Sequence, residues 1–139
     1  SASFKLRDVY NVEKNDTKGY IDINGKQAFT DIKFSEAFPF GKDGYAVVCE
    51  KDGKRYLLNA NGSTLFKGSV FTDINKLEDN TYLVTQDSVQ GIVDKTGKVL
   101  LPVNYTSILQ LGNNFLLVSK DGKRFYTNYK GEKVADYVE

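Results

Sequence analysis

The 139 residues carry 19 Lys plus Arg against 18 Asp plus Glu, a net charge of +1 with the two signs interleaved; no clustered basic face of the kind that counterion release needs is visible, so a nucleic-acid partner is not expected. Histidine is absent and cysteine occurs once, at Cys49, which excludes an internal disulfide, a histidine-ligated metal centre and a histidine-dependent acyl-transfer triad. No run approaches the length of apolar residues that crosses a bilayer as a helix, so no transmembrane segment is expected.

In chain order, Val9, Tyr10 and Val12 lead to a polar turn at Asn15-Asp16. Gly19-Tyr20-Ile21-Asp22-Ile23-Asn24-Gly25 then carries a second strand into an Asn-Gly turn, and residues 27–32 read as a third strand. The order returns with residues 45–48, Asp52-Gly53 and Tyr56-Leu57-Leu58-Asn59-Ala60-Asn61-Gly62. It returns again with residues 82–84, Asp87-Ser88, Gly91-Ile92-Val93-Asp94-Lys95-Thr96-Gly97 and a third strand at 98–102. The last copy has residues 115–118, Asp121-Gly122 and Phe125-Tyr126-Thr127-Asn128-Tyr129-Lys130-Gly131. The closing glycines Gly25, Gly62, Gly97 and Gly131 stand 37, 35 and 34 residues apart, the signature of one supersecondary unit copied in tandem. Connecting segments repeat as well: residues 34–40 align with 71–77 and 105–111, keeping an aromatic residue, a small polar residue and two later apolar positions.

Asp-Gly and Asn-Gly between aromatic and β-branched runs are strong hairpin signals, because these residues tolerate the positive φ of tight turns. No long window shows helical periodicity. The chain therefore reads as an all-β protein: tandem repeats of about 35 residues, each a three-stranded antiparallel meander, packed as a curved or propeller-like array. The units are expected at about residues 4–33, 40–70, 77–103 and 112–137 of a single repeat domain covering 1–139.

This order of signals resembles the WG-repeat family, also called KWG repeats, which is common in bacterial proteins. Lys18-Gly19-Tyr20-Ile21-Asp22-Ile23-Asn24-Gly25-Lys26 and Gln90-Gly91-Ile92-Val93-Asp94-Lys95-Thr96-Gly97-Lys98 follow the centre of the family pattern, and Leu100-Leu101-Pro102-Val103-Asn104-Tyr105 follows its next stretch. The family's tryptophan slot holds Lys18, Arg55, Gln90 and Arg124, and its glycine is replaced by Tyr56 and Phe125 in two copies. The resemblance implies a β-repeat module and carries over no catalytic residues.

Asp22, Asn59, Asp94 and Asn128 share one slot, three residues before the turn glycine. A calcium loop needs a bidentate acid near its twelfth position, which residues 27–32 do not supply. The slot reads as a side chain that accepts hydrogen bonds from turn amides, a role Asp and Asn fill alike. No metal and no cofactor is expected. Acids such as Glu36, Glu50 and Asp73 are numerous, but most sit beside polar residues in segments read as turns, without the burial that glycoside chemistry requires of its acid.

Aromatics that recur in phase read as the core between units. Residues that break the repeat are the better binding candidates, and the partner-binding set is Arg55, Tyr56, Arg124, Phe125 and Tyr126: a repeated cation beside a ring, suited to an acidic group with apolar surroundings. The expected function is a non-catalytic interaction module that binds a protein or glycan, in a bacterial extracytoplasmic or surface protein. The competing expectation is a carbohydrate-active enzyme or its accessory glycan-binding domain.

Overall fold

The computed structural model describes residues 9–14, 17–77, 80–112 and 114–138, so the turn expected at Asn15-Asp16 lies outside the described residues. The described chain is all-β and antiparallel. It divides into two compact units whose boundary falls between Val70 and Phe71.

The first unit holds β1 (Val9–Lys14), β2 (Thr17–Asp22), β3 (Gln27–Ala28), β4 (Phe34–Ala37), β5 (Tyr45–Glu50), β6 (Arg55–Asn59) and β7 (Thr64–Leu65). They form one seven-stranded sheet in the order β1-β2-β4-β5-β6-β7, with β3 also paired to β2. The second unit contains two four-stranded meanders. One is made of β8 (Asp73–Lys76), β9 (Thr81–Gln86), β10 (Val89–Asp94) and β11 (Val99–Tyr105). The other is made of β12 (Ser107–Gln110), β13 (Phe115–Lys120), β14 (Lys123–Asn128) and β15 (Lys133–Asp136).

Each copy contains the three-stranded meander expected, as β1-β2-β3, β5-β6-β7, β9-β10-β11 and β13-β14-β15. Ahead of the last three, the segment read as a connector pairs as an additional strand, β4, β8 or β12. The recurring small polar residue explains why. The Thr72 and Thr106 amides donate to the carbonyls of Thr85 and Ser119 at 2.7 and 2.9 Å, their hydroxyls donate to the same carbonyls, and the Ser35 hydroxyl donates to Glu50 at 2.8 Å. Each anchors the added strand beside its neighbour, placing Ile74 opposite Val84 and Ile108 opposite Val118.

The third strand of the first copy is shorter than the 27–32 expected, and that of the second is equally short. β3 ends at Ala28 and β7 at Leu65, and in both cases the next residue, Phe29 or Phe66, takes a positive φ of 56° or 64°. That geometry is unfavourable for a bulky residue. For Phe29 the ring packs edge-on to Tyr20 at 5.9 Å within the apolar cluster of the first unit. Packing overrides local preference there.

Strand alternation sorts the side chains of each meander onto two faces. In the second unit the buried core joins Leu83, Ile92 and Leu101 from one face of the third copy to Ile108, Leu116 and Val118 from the opposite face of the fourth. In the first unit Tyr20 and Ala28 of the first copy join Ala46, Val48, Tyr56 and Leu58 of the second. The same rule operates both times: the trailing face of one copy packs on the leading face of the next.

The family glycine has a specific task in the third copy. Between Gln90, paired with Tyr105, and Ile92, paired with Leu101, β11 bulges over Gly91, and a Cβ there would lie 2.7 Å from the Leu101 carbonyl oxygen and 2.7 Å from Val103 Cα. At Gly19 a Cβ would meet nothing within 4 Å. Gly91→Ala is expected to lower stability by about 1–3 kcal/mol through overpacking against backbone, while Gly19→Ala leaves it unchanged or slightly higher. Chemical denaturation of the two variants side by side checks this, and equal midpoints would refute it.

Candidate functional site

The Asx slot does what its chemistry suggests. Asp22 Oδ1 accepts from the amides of Asn24 and Lys26, both at 2.9 Å, and Asn59 Oδ1 from Asn61 at 3.0 Å. Asp94 Oδ1 accepts from the Thr96 and Lys98 amides at 2.8 and 2.9 Å, and Asn128 Oδ1 from Lys130 and Glu132 at 3.0 Å. The Thr96 hydroxyl, 2.6 Å away, and then these amides hold the Asp94 carboxyl below its ordinary pKa. The oxygens are committed to closing turns.

Arg55 opens β6, and its guanidinium lies 2.5 Å from Glu36 Oε2 on β4 and 5.6 Å from the centre of the Phe38 ring. Glu36 Oε2 is buried and accepts no directional hydrogen bond, so the ion pair is what compensates its charge. Arg55 is therefore partnered within the chain. Tyr56 is 4% exposed, on the opposite face of β6 from Arg55, and its ring belongs to the core. Its hydroxyl donates to Glu50 Oε2 at 2.6 Å, and burial, then this contact, pushes the phenol pKa up. Lys67 Nζ sits 5.4 Å from the ring centre.

These groups border a pocket of about 330 Å³ lined by Glu50, Asp52, Lys54, Arg55, Tyr56, Lys67, Gly68 and Ser69. Its lining holds both acceptors and donors. The sequence indicated Arg55 and Tyr56 but missed Lys67 and Ser69, which follow Phe66 in a turn closed by the Ser69 amide donating to the Phe66 carbonyl at 3.0 Å. The only signal for that turn was Gly68.

In the fourth copy the three candidates divide. Arg124 and Tyr126 lie on the trailing face of β14, Arg124 over Tyr137 at 5.3 Å and Tyr126 beside Tyr137 at 6.0 Å. Phe125 lies on the leading face, edge-on to Tyr105 at 6.2 Å, with Lys133 Nζ 5.6 Å from its ring. Phe125 thus packs against the core of the second unit. In the third copy the same slot holds Gln90, whose Oε1 accepts from the Ile108 amide at 2.8 Å; there it ties one meander to the next. Tyr126 also borders an apolar hollow of about 230 Å³ with Leu111, Phe115 and Val134.

Among the described residues no helix is long and apolar enough to cross a membrane. No curated protein matches the chain. The crystal structure of the computationally designed Ika8 protein aligns over 96% of this chain and 50% of that chain, at 18% identity and a TM-score of 0.44; this chain spans about half of Ika8's length. Residues 19–54 and 91–123 match the family model of the WG containing repeat. Each match begins at a family glycine, Gly19 or Gly91, and spans an Asx-closed turn, so the chain belongs, through these two stretches, to the WG-repeat family, with its tryptophan slot given over to Lys18, Arg55, Gln90 and Arg124.

Proposed function

We propose that the chain is a non-catalytic interaction module of a bacterial extracytoplasmic or surface protein, and that it captures a protein or glycan partner at the pocket beside β6. The observation that carries this reading is the lining of that pocket. It combines acceptors at Glu50 and Asp52 with donors at Lys54, Lys67 and Ser69, a mixed lining that suits the hydroxyls of a glycan, each both donor and acceptor. A volume of about 330 Å³ falls at the lower end of ligand pockets and fits a terminal sugar rather than a long chain. The non-catalytic reading draws support from the acids. Asp52 is exposed, and the Glu50 carboxylate accepts the Tyr56 hydroxyl, so the pocket lacks the buried, uncommitted acid that glycoside hydrolysis uses.

A glycan array probed with the wild-type chain and with Lys54→Ala/Lys67→Ala tests the proposal. The wild type is expected to select a restricted set of glycans. The double variant should lose about tenfold in affinity, roughly 1.4 kcal/mol, with its melting temperature within about a degree, as surface changes usually leave it. If both proteins bind the same glycans equally, or the wild type binds none, this pocket is not the glycan site.

A further inference from the structure

Asn-Gly occurs twice, at Asn24-Gly25 and Asn61-Gly62, in the same slot of the first two copies. Both pairs are exposed, and both glycines take a positive φ, 79° and 97°, with open space where a Cβ would stand. The backbone closes the two turns alike: the Gly25 amide donates to the Asp22 carbonyl at 2.9 Å and the Gly62 amide to the Asn59 carbonyl at 2.8 Å.

The asparagine side chains differ. Asn61 Oδ1 accepts from the amide and from the hydroxyl of Ser63, at 3.0 and 2.9 Å. In the first copy the equivalent residue is Lys26, which brings no hydroxyl, and its amide turns instead to Asp22 Oδ1 at 2.9 Å. No hydrogen bond holds the Asn24 side chain among the described residues. One asparagine is tethered twice and its counterpart is not tethered at all.

We propose that Asn24 is a site of spontaneous deamidation in the folded chain and that Asn61 is protected from it. A glycine has no Cβ to screen its amide nitrogen, which leaves that nitrogen open to attack the preceding side chain. The Gly25 nitrogen bonds to Asn24 Cγ as it loses its proton, the side-chain nitrogen leaves as ammonia, and water opens the resulting cyclic imide at one of its two carbonyls. The products are aspartate at position 24, or isoaspartate, in which the backbone runs through the side-chain carboxyl. Either one adds a negative charge to the turn that the Asp22 carboxylate closes, and the isoaspartyl form lengthens the link between β2 and β3 by one backbone atom. The hydrogen bond on the glycine amide is common to both turns and slows both. What separates them is the rotation that brings Cγ to face the nitrogen: Asn24 is free to make it, whereas Asn61 first breaks both bonds to Ser63. Loss of ammonia makes the change one-way, so the first copy records the age of the molecule and the second does not.

Peptide mapping by mass spectrometry after incubation at mildly alkaline pH, in buffer and in denaturing guanidinium chloride, is the test. Dividing each asparagine's rate in the folded chain by its own rate in the unfolded chain removes the influence of the flanking residues. That ratio is expected to be at least about tenfold higher for Asn24 than for Asn61, because two hydrogen bonds must break before Asn61 reacts. Exchanging the turn residues, Asp22→Asn/Lys26→Ser in the first copy and Asn59→Asp/Ser63→Lys in the second, should reverse the order. Thermal melts verify that the exchanged variants fold, and where one does not, the wild-type ratios alone decide. Equal ratios, a higher ratio for Asn61, or an Asn24 that stays intact in the folded chain while the unfolded chain converts each overturn the proposal. Exchanged turns that keep the original order overturn it as well, since the protection then does not come from Ser63.

Discussion

Removing residues 112–139 should abolish the folded state of the preceding meander, β8 to β11, and leave the first unit in place. The reason is that Leu77, Leu83, Ile92 and Leu101 are buried against side chains of the fourth copy. Exposing four such side chains forfeits roughly 1.5–3 kcal/mol each, a sum on the scale of a whole domain's stability of about 5–15 kcal/mol. A single meander has no second layer of its own to replace that cover. Hydrogen exchange at the amides of β9 and β10 is the measurement: full protection in the intact chain and near-complete loss in the 1–111 fragment. Retained protection in the fragment would show that each meander is self-sufficient.

Tyr20→Ala should be the most damaging single substitution in the first unit. Tyr20 is fully buried, and its ring meets Phe29, Phe34 and Phe40 at centroid distances of 5.9, 5.4 and 4.9 Å. Truncating a buried aromatic residue costs about 3–5 kcal/mol. Tyr20→Phe keeps the packing and removes only the hydroxyl that donates to the Phe38 carbonyl at 2.6 Å, a loss of about 1 kcal/mol. The hydroxyl adds a pH dependence, because burial raises its pKa in the folded state. A raised folded-state pKa gives stability that is complete below the unfolded value of about 10 and declines as pH rises past it. Urea midpoints of the wild type and both variants, at neutral pH and above pH 10, separate the two contributions. Equal midpoints for the Ala and Phe variants, or no alkaline loss specific to the wild type relative to Tyr20→Phe, would contradict this account.

The period, the all-β class and the closing turns were legible in the sequence because they rest on local chemistry. Glycine at positive φ and an Asx oxygen facing one or two turn amides both act within a few residues. The added strands β4, β8 and β12 were less visible. Their anchoring hydroxyls, Ser35, Thr72 and Thr106, reach carbonyls 13 to 15 residues away, and a small polar residue alone does not announce such a bond. The early ends of β3 and β7 were also hidden, since Phe29 and Phe66 are strand formers that take positive φ, Phe29 with its ring packed on Tyr20. At the candidate site the repeat slots identified Arg55 and Tyr56. Composition did not reveal that Glu36 would take the arginine or that the ring would face the core. Alternation along β14 accounts for the separation of Phe125 from Arg124 and Tyr126, a period-2 distinction that a set of consecutive residues conceals.

The closing turns bear on how such a chain can change over evolutionary time. Two copies close with Asp22 and Asp94 and two with Asn59 and Asn128, and all four side chains accept turn amides through the same oxygen. The backbone reads the carbonyl-type oxygen and not the charge. At Asp22, Asn59 and Asp94 an Asp–Asn exchange alters the net charge by one while the turn keeps its amide bonds, so a lineage of these repeats is free to drift in isoelectric point there without rebuilding its fold; at Asn128, whose Nδ2 also donates to Glu132 Oε1 at 2.9 Å, the exchange sets two carboxylates together.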